Sequence, residues 1–278
     1  KQPLRLEDIF DKIFQGIATS KDDVYFLYDC IEKDGLIEGY SKQLERRVVI
    51  EQGLIKPLLK GDDVHRYCHL SSDKVVIFPY KISESKATLY TENEIASRFP
   101  NGYIYLKECE PILRGREKGR FDNDTWFMFG RQQGITNGKI PKLLAPEISL
   151  GGNFSYDING RYYSTTTIYG WIKKDDITIS YKALMAILNS HLVWWFLKNT
   201  GTVLANGYYR YKPAYLKPFP MANFSSTSLK YLEETVDKLT ADSLSEKDKN
   251  ILTNRTNDII YKEYSLSDDE IAYIESTI

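Results

Sequence analysis

Four cations interleaved with glycine, Arg114, Arg116, Lys118 and Arg120 around Gly115 and Gly119, are the first residues able to do chemistry. A guanidinium presents its donors as a planar fork that pairs with phosphate or with the N7 and O6 edge of guanine. Glycine leaves the backbone free to carry such a fork into a groove. Further on, Gly130-Arg131-Gln132-Gln133-Gly134 adds carboxamides, which donate and accept together and so match an adenine edge; Thr136, Asn137 and Lys139 continue the stretch. A third cluster, Tyr208, Tyr209, Arg210, Tyr211 and Lys212, alternates rings with charge, a composition suited to stacking or phosphate contact and equally to packing. Arg114, Arg116, Arg120 and Arg131 are expected in glycine-flanked loops that read bases. Lys142 and Lys173, in or beside strands, are expected to touch phosphate.

The element that must deliver the third cluster is the run Tyr181–Lys198. Leu184, Ile187, Leu188, His191, Leu192 and Trp195 keep helix spacing, Ser180 stands at the N-cap, and Gly201 is placed for a left-handed C-terminal cap. Met185, Val193, Trp194, Phe196 and Leu197 fill the other faces, which predicts one helix with no solvent side, its tryptophans in the core. Asn189, Ser190 and His191 interrupt the run too early for a membrane span. Ahead of it, Leu6–Gln15 reads as an amphipathic helix ending at Gly16, and Val24–Tyr28, Arg47–Ile50 and Lys74–Tyr80 as strands, the last at an edge or strand end because of Pro79. Residues 54–67 read as a loop with one helical turn, and 91–110 as helix in two pieces broken at Pro100-Asn101-Gly102. Trp126–Phe129, Lys142–Ile148 and Tyr162–Trp171 read as strands, with a hairpin around Asp157-Ile158-Asn159-Gly160. Helices follow at Leu229–Leu239 and Lys247–Tyr264, and Ser267 with Glu270 forms a capping box for a last one. The expected fold class is α+β: a β-rich core with peripheral helices over 1–220 and a small helical region over 221–278.

At 278 residues and 42% hydrophobic, the chain can bury one large core or two smaller ones. Its net charge of -1 conceals a segregation: residues 101–220 hold 16 Lys+Arg against 9 Asp+Glu, and residues 221–278 hold 6 against 12. A basic middle can meet a polyanion while the whole stays near neutral. Cys30, Cys68 and Cys109 are odd in number and widely spaced, which points to a reducing compartment, the cytoplasm. The chain starts at Lys1 with no cationic and apolar leader, as expected of a piece cut from a longer protein. His65, Cys68 and His69 fall within five positions, but no second ligand pair follows to complete a zinc site.

Catalytic motifs are missing from the sequence. It contains neither an Asn-Pro-Pro-aromatic run nor the glycine-rich loop that holds S-adenosylmethionine, no convincing acidic pair with Glu-x-Lys, and no Walker-type Gly-Lys-Thr. Chemistry is therefore expected elsewhere.

Eight fragments in order resemble the TaqI-like C-terminal specificity domain of restriction-modification methyltransferases, the target-recognition half of type IIG enzymes. They are residues 13–19 (IFQGIAT), 55–64 (IKPLLKGDDV), 77–80 (IFPY), Trp126 with Gly130-Arg131, 142–149 (KLLAPEIS), 186–190 (AILNS), 215–220 (YLKPFP) and 260–267 (IYKEYSLS). The resemblance implies a module that selects a sequence in double-stranded DNA and presents it to an adenine-specific methyltransferase domain upstream in the same polypeptide. A nuclease often lies further upstream. It implies no cofactor in this chain; S-adenosylmethionine, and magnesium where a nuclease is fused, belong to the parent. No membrane is involved. The residues expected to meet DNA are Arg114, Arg116, Lys118, Arg120, Arg131, Gln132, Gln133, Asn137, Lys139, Tyr209, Arg210 and Lys212. One rival is half of a type I specificity subunit, which requires a second recognition domain and long coiled-coil helices; the short acidic tail speaks against it. A rival from another class is a stand-alone enzyme with an aromatic carbohydrate or nucleotide pocket, suggested by 21 Tyr and 4 Trp. It needs convergent acids and bases, which the sequence does not display.

Overall fold

The computed structural model describes residues 4–83, 86–241 and 243–278, and the fold is mixed α+β. Two sheets organise it. The first has four antiparallel strands in the order Ser155–Asp157, Lys142–Pro146, Ile168–Lys173, Phe10–Gln15. The second has six, in the order Tyr163–Ser164, Ile55–Leu59, Val75–Ile77, Phe26–Lys33, Leu36–Ser41, Arg46–Glu51, antiparallel except for the first pair. Each sheet buries its own core. Trp171, Leu143 and Phe154 of the first pack on the helices Tyr181–Leu188 and His191–Thr200, and the same cluster takes in Leu232, Ile260 and Ile274 from the C-terminal helices. The second sheet packs on the helix Pro100–Arg114 through Tyr105, Leu106 and Cys109, and on Trp126, Phe127 and Phe129. Residue 221 therefore marks a change in secondary structure and not a division between cores. Between the sheets runs Gly16–Ser20, whose Gly16 and Ile17 amides donate to Ile168 and Ser164. A Cβ on Gly16 would lie 2.0 Å from the Ser164 carbonyl oxygen, so only glycine passes through this seam.

Several local expectations give way to tertiary pairing. The expected helix Leu6–Gln15 keeps one turn, Leu6–Ile9, and then becomes the strand Phe10–Gln15, because its partner Ile168–Lys173 offers a full ladder and places Phe10 edge-on against Trp171 at 5.2 Å. Trp126–Phe129 is a buried turn and not a strand. Asp22–Tyr25 is a helical turn ahead of its strand, and the break in the 91–114 helix falls at Phe99, with Pro100 opening the second piece. Ile55–Leu59 is a strand flanked by short 3-10 turns where a loop is expected. Val75–Ile77 lies inside the six-stranded sheet and ends before Pro79. The residues flanking Asp157–Gly160 do not pair with each other; Ser155–Asp157 joins the first sheet and Tyr163–Ser164 the second.

The central run is two helices, Tyr181–Leu188 and His191–Thr200, with Ser180 and Ser190 as N-caps. Asn189 causes the interruption. Its Oδ1 accepts from the Phe154 amide at 2.8 Å and its Nδ2 donates to the Phe154 carbonyl at 2.9 Å, so the side chain acts as one more rung of the first sheet. Gly201 is extended at φ -91°, not left-handed; a Cβ there would lie 2.7 Å from the Leu197 carbonyl oxygen, and close approach explains the glycine. Trp194 is buried, whereas Trp195 and Phe196 are half-buried, so the run has a partly open side. Helices at Ser226–Leu239, Glu246–Glu263 and Asp268–Thr277 occupy the tail, the last with the Ser267–Glu270 capping box.

Candidate nucleic-acid interface

The 114–120 segment follows a tight path. Glu117, Lys118 and Gly119 are all left-handed, at φ 48°, 61° and 83°, which reverses the chain just after the helix. Arg114 is the last residue of that helix and not part of a loop; Nε donates to Glu110 at 2.7 Å, Nη1 to Asp122 at 3.1 Å, and these carboxylates hold its pKa above the ordinary value. Arg116 is 6% exposed. Its guanidinium donates to the carbonyls of Leu113 (2.9 Å), Thr19 (2.7 Å), Trp126 (2.6 Å) and Met128 (2.9 Å) and stacks on Phe121 at 4.1 Å. It is an internal pin and not a groove reader. Arg120 is exposed but paired with Glu117 at 3.0 Å. Among the described residues Lys118 has no partner and faces solvent.

The 130–139 segment behaves differently. Its backbone is anchored at the start by the Arg131 amide on Ala18 at 3.1 Å and folds on itself through the Asn137 amide on Gly134 at 3.3 Å. Arg131, Gln132 and Lys139 are exposed, and among the described residues the Arg131 guanidinium and Lys139 ammonium have no partner. Gln133 and Asn137 are supports: Gln133 Nε2 donates to the Gly16 carbonyl at 3.2 Å, and Asn137, 5% exposed, accepts from Lys12 at 3.4 Å. The Thr19 carbonyl accepts from both Arg116 and the Gly130 amide, so the two segments meet on the seam between the sheets.

The Tyr208–Lys212 segment stands apart. Tyr209–Arg210 pairs with Ile148–Ser149, Tyr209 lies edge-on to Trp194 at 5.3 Å, and Arg210 reaches Glu147 at 3.4 Å. Lys212 is half-buried. The neighbouring cleft of about 530 Å³ is bounded by Asp62, His65 and Glu147, the last already paired with Arg210, beside Ile148, Leu150 and Tyr208. The expected phosphate lysines are also committed: Lys173 Nζ donates to the Ile177 carbonyl at 2.6 Å, and Lys142, 1% exposed, pairs with Asp157 at 2.7 Å.

Three residues join the seam face that sequence reasoning missed. Lys12 and Gln15 lie on the strand mistaken for helix, Gln15 donating to the Thr166 carbonyl at 3.2 Å. Lys56, half-buried, has its pKa lowered by burial and then by the nearby Lys139 charge. The two like charges are close enough to perturb each other, which adds positive charge to this face. Phe10–Gln15 does not alternate with period 2, so no local signal marks Lys12 or Gln15, and only tertiary contact brings in all three. Among the described residues no group of three or more His, Cys, Asp or Glu is arranged to hold a metal, and no helix is long and apolar enough to cross a membrane.

Fold and surface together define a mixed α+β module with basic and amide side chains exposed along the seam between its sheets. A model of the TaqI-like C-terminal specificity domain matches residues 56–221, more than half of the chain, and the chain belongs to that family. It is similar to the Type II methyltransferase M.XhoI of Xanthomonas vasicola, 24% identical over 212 residues that cover 76% of this chain and 34% of that protein. Its fold is similar to that of the Type IIL restriction-modification enzyme MmeI, solved in complex with DNA, with a TM-score of 0.64 and 13% identity over 96% of this chain and 35% of that one. The chain spans about a third of the length of each of these relatives.

Proposed function

We propose that this specificity domain reads a base sequence in double-stranded DNA for a methyltransferase carried by the same polypeptide, as in a type IIG restriction-modification enzyme of the cytoplasm. The observation that carries the reading is the exposed Arg131-Gln132…Lys139 face of a domain in this family, with Lys12, Gln15 and Lys56 beside it. In this reading Arg131, Gln132 and Lys139 meet base edges, where a fork, a carboxamide and an ammonium discriminate, and Lys56 and Lys118 meet phosphates, which fix register and carry no sequence information. Gln133, Asn137 and Arg116 hold backbone in place. Methyl transfer, with S-adenosylmethionine as donor, belongs to the remainder of the polypeptide, as does any magnesium-dependent cleavage.

The test is modification of a randomised duplex library by the full polypeptide, followed by sequencing of the methylated sites. Arg131→Ala or Gln132→Ala is expected to relax one base position at a cost of about 1 to 3 kcal/mol, leaving the others intact. Unchanged recognised sequence and activity in both variants would move the reading surface elsewhere.

A further inference from the structure

We propose that the buried Lys142–Asp157 pair is a positioning element that sets the shape of the 137–140 turn and, through it, the base preference of the domain. The proposal rests on the reading that the 130–139 loop faces DNA. Lys142 and Asp157 are 1% and 3% exposed. A buried pair of this kind contributes little net stability over apolar residues of equal volume, so its value lies in the geometry it imposes. The ammonium has three N–H groups and three acceptors: Asp157 Oδ2 at 2.7 Å, the Gly138 carbonyl at 2.9 Å and the Ile140 carbonyl at 3.2 Å. Those carbonyls lie on either side of Lys139, so one charge fixes the orientation of the peptides that aim its side chain outward.

Asp157 fixes the opposite wall. Its Oδ1 accepts from the Arg161 amide at 2.9 Å and its Oδ2 from the Tyr162 amide at 3.0 Å, which closes the turn carrying Gly160. Gly160 is left-handed at φ 57° and abuts the Lys139–Ile140 peptide so closely that a Cβ would lie 2.4 Å from the Lys139 carbonyl carbon. The ammonium tethers the turn from inside and Gly160 supports it from the other side. Burial lowers the Lys142 pKa, and its hydrogen bond and charge pairing with Asp157 offset part of that lowering.

The experiment uses the full polypeptide carrying Lys142→Met with Asp157→Asn, a pair that removes both charges and retains an oxygen acceptor for one of the Arg161 and Tyr162 amides. Two readouts are taken: amide hydrogen exchange over residues 137–140, and the library modification profile. The expected result is faster exchange confined to that turn, with about tenfold lost discrimination at the one base position that Lys139→Ala also disturbs. Unchanged exchange in the folded double variant overturns the positioning role. Loosened exchange with an unchanged profile overturns the link to base preference and leaves the tether standing. Should the double variant not fold, Gly160→Ala, which keeps both charges and displaces only the supporting turn, is expected to give the same two changes; exchange and a profile like those of the unmodified protein would overturn the proposal.

Discussion

The 114–120 and 130–139 segments are alike as sequence, both short, glycine-bearing and cationic, and the fold uses them in opposite ways. At the first, the chain reverses beside the carbonyls of Leu113, Trp126 and Met128 and that of Thr19, which also accepts from the Gly130 amide, and the Arg116 guanidinium donates to all four. At the second, turn and bridge hydrogen bonds between backbone atoms, with the buried Lys142 ammonium on the Gly138 and Ile140 carbonyls, meet that need, so Arg131 and Lys139 remain free for a ligand. The number of unpaired carbonyls around a loop, more than its own composition, decides whether its arginines are structure or site.

Arg116→Ala gives the largest effect: four buried acceptors lose a charged donor, and stability falls by about 3 to 5 kcal/mol, read by urea unfolding. A loss below about 1 kcal/mol would place Arg116 with the exposed cations and break the contrast. Arg131→Ala leaves stability within about 0.5 kcal/mol of the parent, because the side chain is exposed and among the described residues has no hydrogen-bond or ion-pair partner, while costing about 1 to 3 kcal/mol at one base pair. Lys118→Ala sharpens the difference between positioning and reading. It is expected to weaken all sequences alike and to lower the slope of log affinity against log salt by about 1, measured by fluorescence anisotropy across a salt series. The smallest effect belongs to Arg120→Ala. Its ion pair with Glu117 is solvent-exposed, and its loss should change unfolding by no more than about 0.5 kcal/mol.

What was legible in the sequence was what local chemistry decides. Ser180 and the Ser267–Glu270 box cap helices where expected, and Pro79 stands just after a strand end. The α+β class followed from such signals, and the family from ordered fragments that periodicity does not supply. Illegible features depend on distant partners. Phe10–Gln15 carries a helical pattern but pairs with a strand more than 150 residues away. Asn189 splits a helix because Phe154 offers a free amide and carbonyl, which no reading of 181–198 contains. Of the candidate cations and amides, Arg131, Gln132 and Lys139 are exposed, as composition suggests, whereas Arg116 and Lys142 turn inward to satisfy carbonyls that only the folded chain brings near.

The contrast is tested most directly by contact. With photoreactive benzoylphenylalanine placed at Gln132 or at Arg120 in the full polypeptide, irradiation on a duplex containing the recognised sequence and mapping of the crosslinked nucleotide report which segment lies over the bases. Reading through the 130–139 loop predicts crosslinks from position 132 to bases inside the recognised sequence and none to those bases from position 120. Crosslinks to the recognised bases from position 120 alone would contradict it.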